Sequence, residues 1–234
     1  MQIFYTPDIS DKNELPEEEA IHAIRVLRLS EGDPLLLTDG RGFFYKAVII
    51  KANPKHCEIA VRETIKQSPL WNTDLHIAIA PTKNMERMEW FMEKSTEIGI
   101  DAVTCLLCRH SERKEVKTER LNKIMISAMK QSQKAYLPTL KGMMAFRDFI
   151  TQPYDGRKFI AHCGVVGEER PLLKKIYKPG ENVRIAIGPE GDFSAEEVGL
   201  AMEYGYEPVS LGESIFRTET AALVACHTIR LLNQ

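Results

Sequence analysis

The sequence holds no stretch approaching the ~18 consecutive apolar residues of a membrane span. It opens on Met1-Gln2-Ile3-Phe4, which has strand-like composition and lacks the basic and apolar regions of a signal peptide. A cytoplasmic protein without a membrane partner is the expectation. Charge of one sign is missing too: 31 Lys/Arg against 33 Asp/Glu leave a net charge of -2, so no global attraction to nucleic acid follows from composition. The G-x-G-x-x-G of a dinucleotide-binding βαβ unit and the G-x-x-x-x-G-K-[ST] of a P-loop are both absent, which argues against either standard nucleotide fold. No Ser or Cys nucleophile with a His partner is signalled. Of six histidines, His162 alone falls at a predicted strand end, before the glycine-bearing Cys163-Gly164-Val165-Val166-Gly167. A packed or hydrogen-bonding role is the commoner one for such a residue. The five cysteines are odd in number and scattered. Cys105 and Cys108 have the spacing of half a zinc site, but Val103 to Cys108 reads as a buried strand, on which positions three apart face opposite sides. With no second CxxC, packed thiols and no metal are expected.

What the chain does have is 44% hydrophobic and 27% charged residues over 234 positions, enough for one large or two small domains with a sizeable core. There is no fixed-period repeat and no low-complexity segment. Residues 1–65 read as mostly β with one helix. Gln2 to Thr6 is a strand candidate. Pro16 and Glu17 to Glu19 open a helix that Arg25 and Arg28 close, with Ile21, Ile24 and Leu27 on one face. Leu35–Thr38 and Phe43–Ile50 read as strands about an Asp39-Gly40-Arg41-Gly42 turn, and Cys57–Thr64 alternates as a half-buried strand. A small barrel-like domain follows. Residues 66–73 have linker composition.

Beyond the linker, strands alternate with helices: 75–80, helix 85–98, strand 102–108, helix 119–134, a short helix over 146–152, strand 158–161. This pattern implies a mainly parallel, doubly wound sheet. Two strand-loop-helix units end it. In the first, Val183 to Ile187 is β-branched and apolar, as a strand buried on both faces should be. Gly188-Pro189-Glu190-Gly191 is turn chemistry, and Ser194 with Glu197 forms a capping-box signature. The second runs Val209-Ser210-Leu211-Gly212-Glu213-Ser214-Ile215-Phe216-Arg217 into a helix from Thr218 to Leu232. Two such loops at one sheet edge make a ligand site. Arg217 stands where the helix dipole favours negative charge, the kind of local misfit expected at functional positions; a solvated arginine costing a few tenths of a kcal/mol is the alternative. A basic stripe adds a possible phosphate-backbone contact: residues 109–134 carry 8 Lys/Arg against 3 Asp/Glu. An ordinary solvated helix face explains it equally well.

These residues resemble a known family. Ile187 to Ser194 and Leu211 to Ala221 are similar to the two signature segments of the bacterial small-subunit (16S) rRNA uracil-N3 methyltransferases, of the trefoil-knotted SPOUT class. His22-x-x-Arg25-Val26-Leu27-Arg28, Lys83-x-x-x-Arg87-Met88-Glu89, Glu93-Lys94-x-Thr96-Glu97-Ile98-Gly99, Ser111-Glu112-Arg113 and Arg120-Leu121-Asn122-Lys123 also match, in order. The resemblance implies a PUA-like RNA-binding β-barrel over residues 1–70. It implies a SPOUT α/β domain over 74–234, with a mainly parallel sheet and a C-terminal trefoil knot.

The implied cofactor is S-adenosyl-L-methionine. It would lie between the two loops, with backbone near Ile187, Gly188, Leu211 and Gly212 reading the adenine edge and Ile215 and Phe216 giving apolar contact. His162, Pro189, Glu190, Gly191, Thr218 and Thr220 complete that set. Arg217 would stabilise charge on the uracil oxygens or grip a phosphate, and Glu219 or Glu190 would take the proton. Arg25, Arg28, Lys83, Arg87 and Arg113 would hold small-subunit rRNA or the assembled subunit, and a homodimer would form through the knotted domain, with helix 218–232 contributing. One departure stands out: the family more typically has an acid, a glycine and an arginine where this chain has Lys130, Gln133 and Lys134. Two alternatives stay open, a knotted methyltransferase acting on another RNA such as tRNA, and a non-catalytic RNA-binding assembly factor.

Overall fold

In the computed structural model, which describes residues 2–164 and 170–234, the two sequence patterns sort into two units. One comprises residues 1–70 with 126–137, the other residues 71–125 with 138–234. Residues 165–167 of the glycine-bearing stretch after His162 lie outside the described residues. No helix among the described residues is long and apolar enough to cross a membrane.

The first unit is a four-stranded sheet in the order β1 (Ile3–Tyr5), β2 (Pro34–Thr38), β3 (Phe43–Lys51), β4 (Glu58–Lys66). β1 runs parallel to β2, and the other pairs are antiparallel. The β2–β3 turn forms as its sequence demands. Asp39 Oδ1 accepts the N–H of Arg41 at 2.8 Å and of Phe43 at 3.3 Å, while Gly40 and Gly42 take φ of 76° and 101°, open to glycine at little cost. After β1 the same N-terminal segment reaches the opposite edge: Leu15 N–H donates to Cys57 O and Ile59 N–H to Asn13 O, both at 3.0 Å. One short stretch thus serves both edges of the sheet, as a small barrel-like domain requires. Phe4, Leu35, Leu37, Ile49 and Ile59 fill its core.

The helix of this unit departs from expectation. α1 (Glu17–Ile21) continues as a π-helical turn over His22–Val26, with Leu27 N–H on His22 O at 3.0 Å. The extra residue in that turn rotates the buried face. Ala20 and Ala23 are fully buried, while Leu27 of the expected Ile21, Ile24, Leu27 face is 39% exposed. Residues 126–137 also join this unit. Gly42 N–H donates to Ala135 O and Leu137 N–H to Gly40 O, each at 2.8 Å, and Lys130 Nζ meets Glu19 Oε1 at 2.6 Å. Gln133, where the similar family has glycine, holds φ at 56°.

The second unit is a six-stranded, all-parallel sheet. Its strands are β5 (Leu75–Ile79), β6 (Ala102–Leu107), β7 (Thr139–Ala145), β8 (Arg157–Ala161), β9 (Val183–Ile187) and β10 (Glu207–Val209), in the order β10-β8-β9-β5-β6-β7. β7 was not anticipated. It is a half-exposed edge strand interrupted by Gly142, with none of the apolar run that marks β9. On β5 and β9 the small or polar residues alternate with large ones: Ala78 and Ala186 join Phe149, Ile150 and Phe193 in one buried cluster. That cluster is covered by α4 (Phe146–Ile150) and α6 (Ala195–Glu203). Leu75, Ile77, Ile79, Val183, Ile185 and Ile187 take the alternate register, and α7 (Thr218–Leu232) packs on β5, β9 and α2 (Met85–Ile98). α3 (Thr118–Gln131) and a short α5 (Leu173–Ile176) complete the set. Arg230, 1% exposed, secures the end of α7 by donating to Gly99 O at 2.8 Å, bonding to the Asp101 carboxylate and stacking over Trp71.

His76 Nε2 pairs with Thr104 Oγ1 at 2.8 Å; burial first, then the charges of Arg184 and Lys141, push its imidazole pKa down from 6.5 to about 3. Below about pH 6.5 the unfolded chain gains a proton that the folded chain refuses. Stability from this site is therefore complete above pH 6.5 and falls as the pH drops toward 3, by up to ~1.4 kcal/mol per unit. Urea titrations of His76→Gln should show a shallower decline over that window than the parent protein. Separately, Gln133→Gly should raise the urea midpoint by about 1 kcal/mol of stability at unchanged m, because a side chain in the left-handed region costs roughly that much.

Candidate active site

β8, β9 and β10 end level with one another. Ala161 is registered against Ile187 on one side and Val209 on the other, so residues 161–163, 187–192 and 209–218 emerge from one sheet edge. A cavity of about 420 Å³ lies among them, within the size range of small-ligand pockets. It sits at the carboxyl ends of parallel strands, where β10 has crossed back over β8, which is where open α/β sheets hold ligands.

The loop after β9 is fixed chiefly by Asp192. Its N–H closes a turn on Pro189 O at 2.9 Å, and its backbone takes φ of 60°, which aspartate tolerates better than most residues. The side chain then accepts the N–H of Phe193 through Oδ1 and of Cys163 through Oδ2, both at 2.8 Å. One carboxylate thereby joins the loop after β9 to the loop after β8. His110 Nδ1 faces Gly191 O at 3.1 Å and Asp192 O at 3.0 Å. Two carbonyl acceptors require that nitrogen to carry the proton. A Cβ on Gly191 would meet His110 Cβ at 3.1 Å, and one on Gly188 would meet the Phe193 ring at 3.1 Å, so both glycines sit in close packing. Ser194 and Glu197 form the reciprocal capping box read from the sequence.

After β10, Ser210 Oγ donates to Gly212 O at 2.9 Å and accepts Gly212 N–H at 3.3 Å, which turns the chain toward α7. Ile215 is 85% exposed at the cavity mouth. Arg217 is the N-cap of α7 without a side-chain capping bond, and Thr218 behind it is buried.

The cavity collects His162, Ile187, Gly188, Pro189, Glu190, Leu211, Gly212, Ile215, Phe216, Arg217 and Thr218 from the sequence-derived set. Gly191 packs on His110 instead. Glu219 and Thr220 face a second cavity, which they share with Asn84, Glu86, Arg87, Trp90 and Arg217. Glu190 has a structural partner, since its Oε1 accepts Lys83 N–H at 3.0 Å. Asp192 and Arg170 also line the cavity, outside the sequence-derived set. The first could have been found from its place between a turn glycine and a capping serine; the second carries no local signal.

The basic residues separate as well. Arg113 donates to the carbonyls of Thr82 at 3.2 Å and Lys83 at 2.6 Å, Lys83 pairs with Glu112 at 2.8 Å, and Arg87 Nε lies 3.8 Å from Glu219 Oε1. In the first unit Arg25 and Arg28 are exposed, Arg28 with φ of 57°. The thiols of Cys105 and Cys108 are buried, and burial raises both, that of Cys105 to about 12.

Asp192→Ala should cost about 0.5–1.5 kcal/mol, the range for losing a hydrogen bond whose amide can still reach water, and should speed hydrogen exchange at the Cys163 amide. Asp192→Asn, which keeps one carbonyl oxygen, should fall between. An unchanged Cys163 exchange rate in the alanine variant would remove Asp192 as the tie between the two loops.

Residues 69–230 match the RNA methyltransferase domain, and residues 15–62 match the RNA methyltransferase PUA domain. A probable rRNA-methyltransferase from Porphyromonas gingivalis has a crystal structure 46% identical, covering 100% of this chain and 98% of its own, with a TM-score of 0.94. A putative methyltransferase from Legionella pneumophila, solved with bound SAM, is 27% identical over 99% of this chain and 97% of its own, with a TM-score of 0.86. The ribosomal RNA small subunit methyltransferase E of Synechocystis sp. is 30% identical over 213 residues, 89% of this chain and 69% of the relative. The parallel sheet with its loop-lined cavity, in a chain that also carries a PUA-like unit, is therefore that of an RNA methyltransferase, and the chain belongs to the RNA methyltransferase family that includes those small-subunit enzymes.

Proposed function

We propose that the protein transfers the methyl group of S-adenosyl-L-methionine to N3 of a uridine in small-subunit (16S) ribosomal RNA. The observation that carries this reading is the cavity formed by the loops after β8, β9 and β10. Its lining fits the donor: backbone groups at Ile187, Gly188, Leu211 and Gly212 suit a purine edge, and Val209, Leu211, Ile215 and Phe216 offer apolar surface for the ring. When bound, S-adenosyl-L-methionine supplies a methyl group already activated on a sulfonium, so no metal is needed. The remaining tasks fall to the protein: position, deprotonation and charge stabilisation.

Arg217, in the wall of both cavities, stabilises charge that develops on the uracil oxygens. Glu219 is the proton acceptor. It is favoured over Glu190 because the Glu190 carboxylate already accepts the Lys83 amide, whereas Glu219 Oε2 has no hydrogen-bond partner among the described residues. Residues 1–70 serve as the RNA-binding domain and 74–234 as the catalytic domain. Arg25, Arg28, Lys83 and Arg87 contact the rRNA or the assembled subunit, and Arg113 shapes the 82–83 backbone that presents Lys83. The return of the chain from the edge strand β10 to α7, over β5 and β9, supports a trefoil knot. Leu231, 54% exposed near the end of α7, supports a homodimer through that helix. The protein acts in the cytoplasm, where its substrate is assembled.

Calorimetry should show uptake of S-adenosyl-L-methionine and of its demethylated product, and small-subunit rRNA from a deletion strain should lack one N3-methyluridine. Arg217→Ala should keep donor binding while losing at least ~10²-fold in methylation rate, the scale of one preorganised electrostatic group. Absence of donor binding by the parent protein would overturn the reading. Full turnover in the variant would remove Arg217 from it.

A further inference from the structure

The donor cavity does not account for the second cavity, of about 410 Å³, between the start of α2 and the start of α7. Three features set it apart from an ordinary surface dimple. Trp90 lies in its wall with 42% of its surface exposed, a large aromatic face left beside charged groups. Glu219 is 6% exposed, yet its Oε2 has no hydrogen-bond partner among the described residues. Arg87 Nε stands 3.8 Å from its other oxygen, beyond hydrogen-bond reach. Arg217 lines this cavity and the donor cavity alike. A buried acceptor lacking its donor is costly to keep, and Glu219 is among the residues that line this cavity.

We propose that this cavity receives the target base turned out of its RNA stack, with Trp90 as the stacking platform and Arg87, Glu219 and Arg217 as the reader of its edge. The proposal rests on the methyl-transfer reading above. Uracil presents, in order, a carbonyl oxygen, the N3–H donor and a second carbonyl oxygen. Its complement is donor, acceptor, donor, and two guanidinium groups and a carboxylate lining one cavity carry those groups. Cytosine has an acceptor at N3, which would meet the Glu219 carboxylate with like polarity, so the same edge rejects it. Stacking on an aromatic ring meets the cost of unstacking that base-modifying enzymes face. The proton balance is complete: Glu219 takes the N3 proton, the freed N3 electron pair forms the new N–C bond, and the sulfonium leaves as a neutral thioether.

The test is intrinsic fluorescence of the full chain titrated with uridine 5′-monophosphate and, separately, cytidine 5′-monophosphate. The protein has two tryptophans, and Trp71 is engaged with Gly99 and Arg230, so quenching reports Trp90. The uridine nucleotide should quench saturably, at a concentration at least about tenfold below that needed by the cytidine nucleotide. Trp90→Leu should abolish the signal and raise the KM for RNA roughly 5- to 100-fold, the range for loss of one base–aromatic stack. Trp90→Phe, which keeps a flat ring, should restore most of that KM. Glu219→Gln, whose amide can donate to cytosine N3, should narrow the gap between the two nucleotides. Equal response to both nucleotides, no response at all, or an unchanged KM in Trp90→Leu would overturn the proposal; a second copy of the chain covering Trp90 would give no response. Donor calorimetry on the same samples separates the two readings. A protein that binds S-adenosyl-L-methionine but does not discriminate uridine sinks the base pocket alone. One that binds no donor sinks the methyl-transfer reading.

Discussion

The registration of Ala161 between Ile187 and Val209 is the constraint on which the site depends. Three parallel strands must end at one level for their loops to meet, and parallel pairing offers no tight hairpin to enforce this. The enforcement comes from side chains. β9 has all five residues buried, so a slip by one position would exchange Ile185 and Ile187 for Arg184 and Ala186 on each face. That exchange would drive the Arg184 guanidinium out of its place over the rings of Phe149, 4.8 Å away, and Tyr154, 4.3 Å away, and into an aliphatic layer. The register thus keeps a charged group between two aromatic rings, and cavity geometry follows from it.

Asp192 then converts a common level into a common pocket. Its two oxygens bind amides on two different loops, which ties two of the loops around the cavity by charge-assisted hydrogen bonds instead of by loop stiffness. His110 supports the same turn from the other side. Neither residue needs to touch a ligand to matter, because a shift of the Gly188–Asp192 turn would move every group that this turn contributes to the cavity.

Much of this was legible in the chain, for identifiable reasons. Val183–Ile187 announced a two-sided strand, Ser194 with Glu197 announced a helix start, and Thr218–Leu232 was placed as the terminal helix; all three are local signals written in adjacent residues. What escaped depends on neighbours distant in sequence. β7 is an edge strand whose half-exposed residues have no clear period, and only its pairing with β6 defines it. The turn at His22–Val26 changes helical pitch, so the face inferred for Ile21, Ile24 and Leu27 was rotated away. Residues 119–134 read as one helix, which in the structure ends at Gln131, and nothing in them marks that the chain from 126 on joins the first unit, where Ala135 and Leu137 bond to Gly42 and Gly40. For the site, the two glycine-bearing loops were readable, but the separation of Glu219 and Thr220 from the main cavity was not. Adjacent residues at a helix start point in different directions, and that divergence appears only once the helix has a fixed place on the sheet.

The position of Glu219 shows the energetic logic of the arrangement. A first-turn glutamate gains from the helix dipole, typically 0.3–1 kcal/mol, and an exposed one would collect that gain without burial. This one is buried with an oxygen that lacks a donor among the described residues, a loss of about 1–3 kcal/mol that the dipole does not offset. The nearby Arg87, at 3.8 Å from the other oxygen, supplies charge but not a close hydrogen bond. Stability alone would favour either a full Arg87–Glu219 contact or an apolar residue at 219. Departures of this kind from the locally best choice collect where a fold gives up stability for chemistry, and here the departure lies beside Arg217, the other residue that breaks the rule for a helix start.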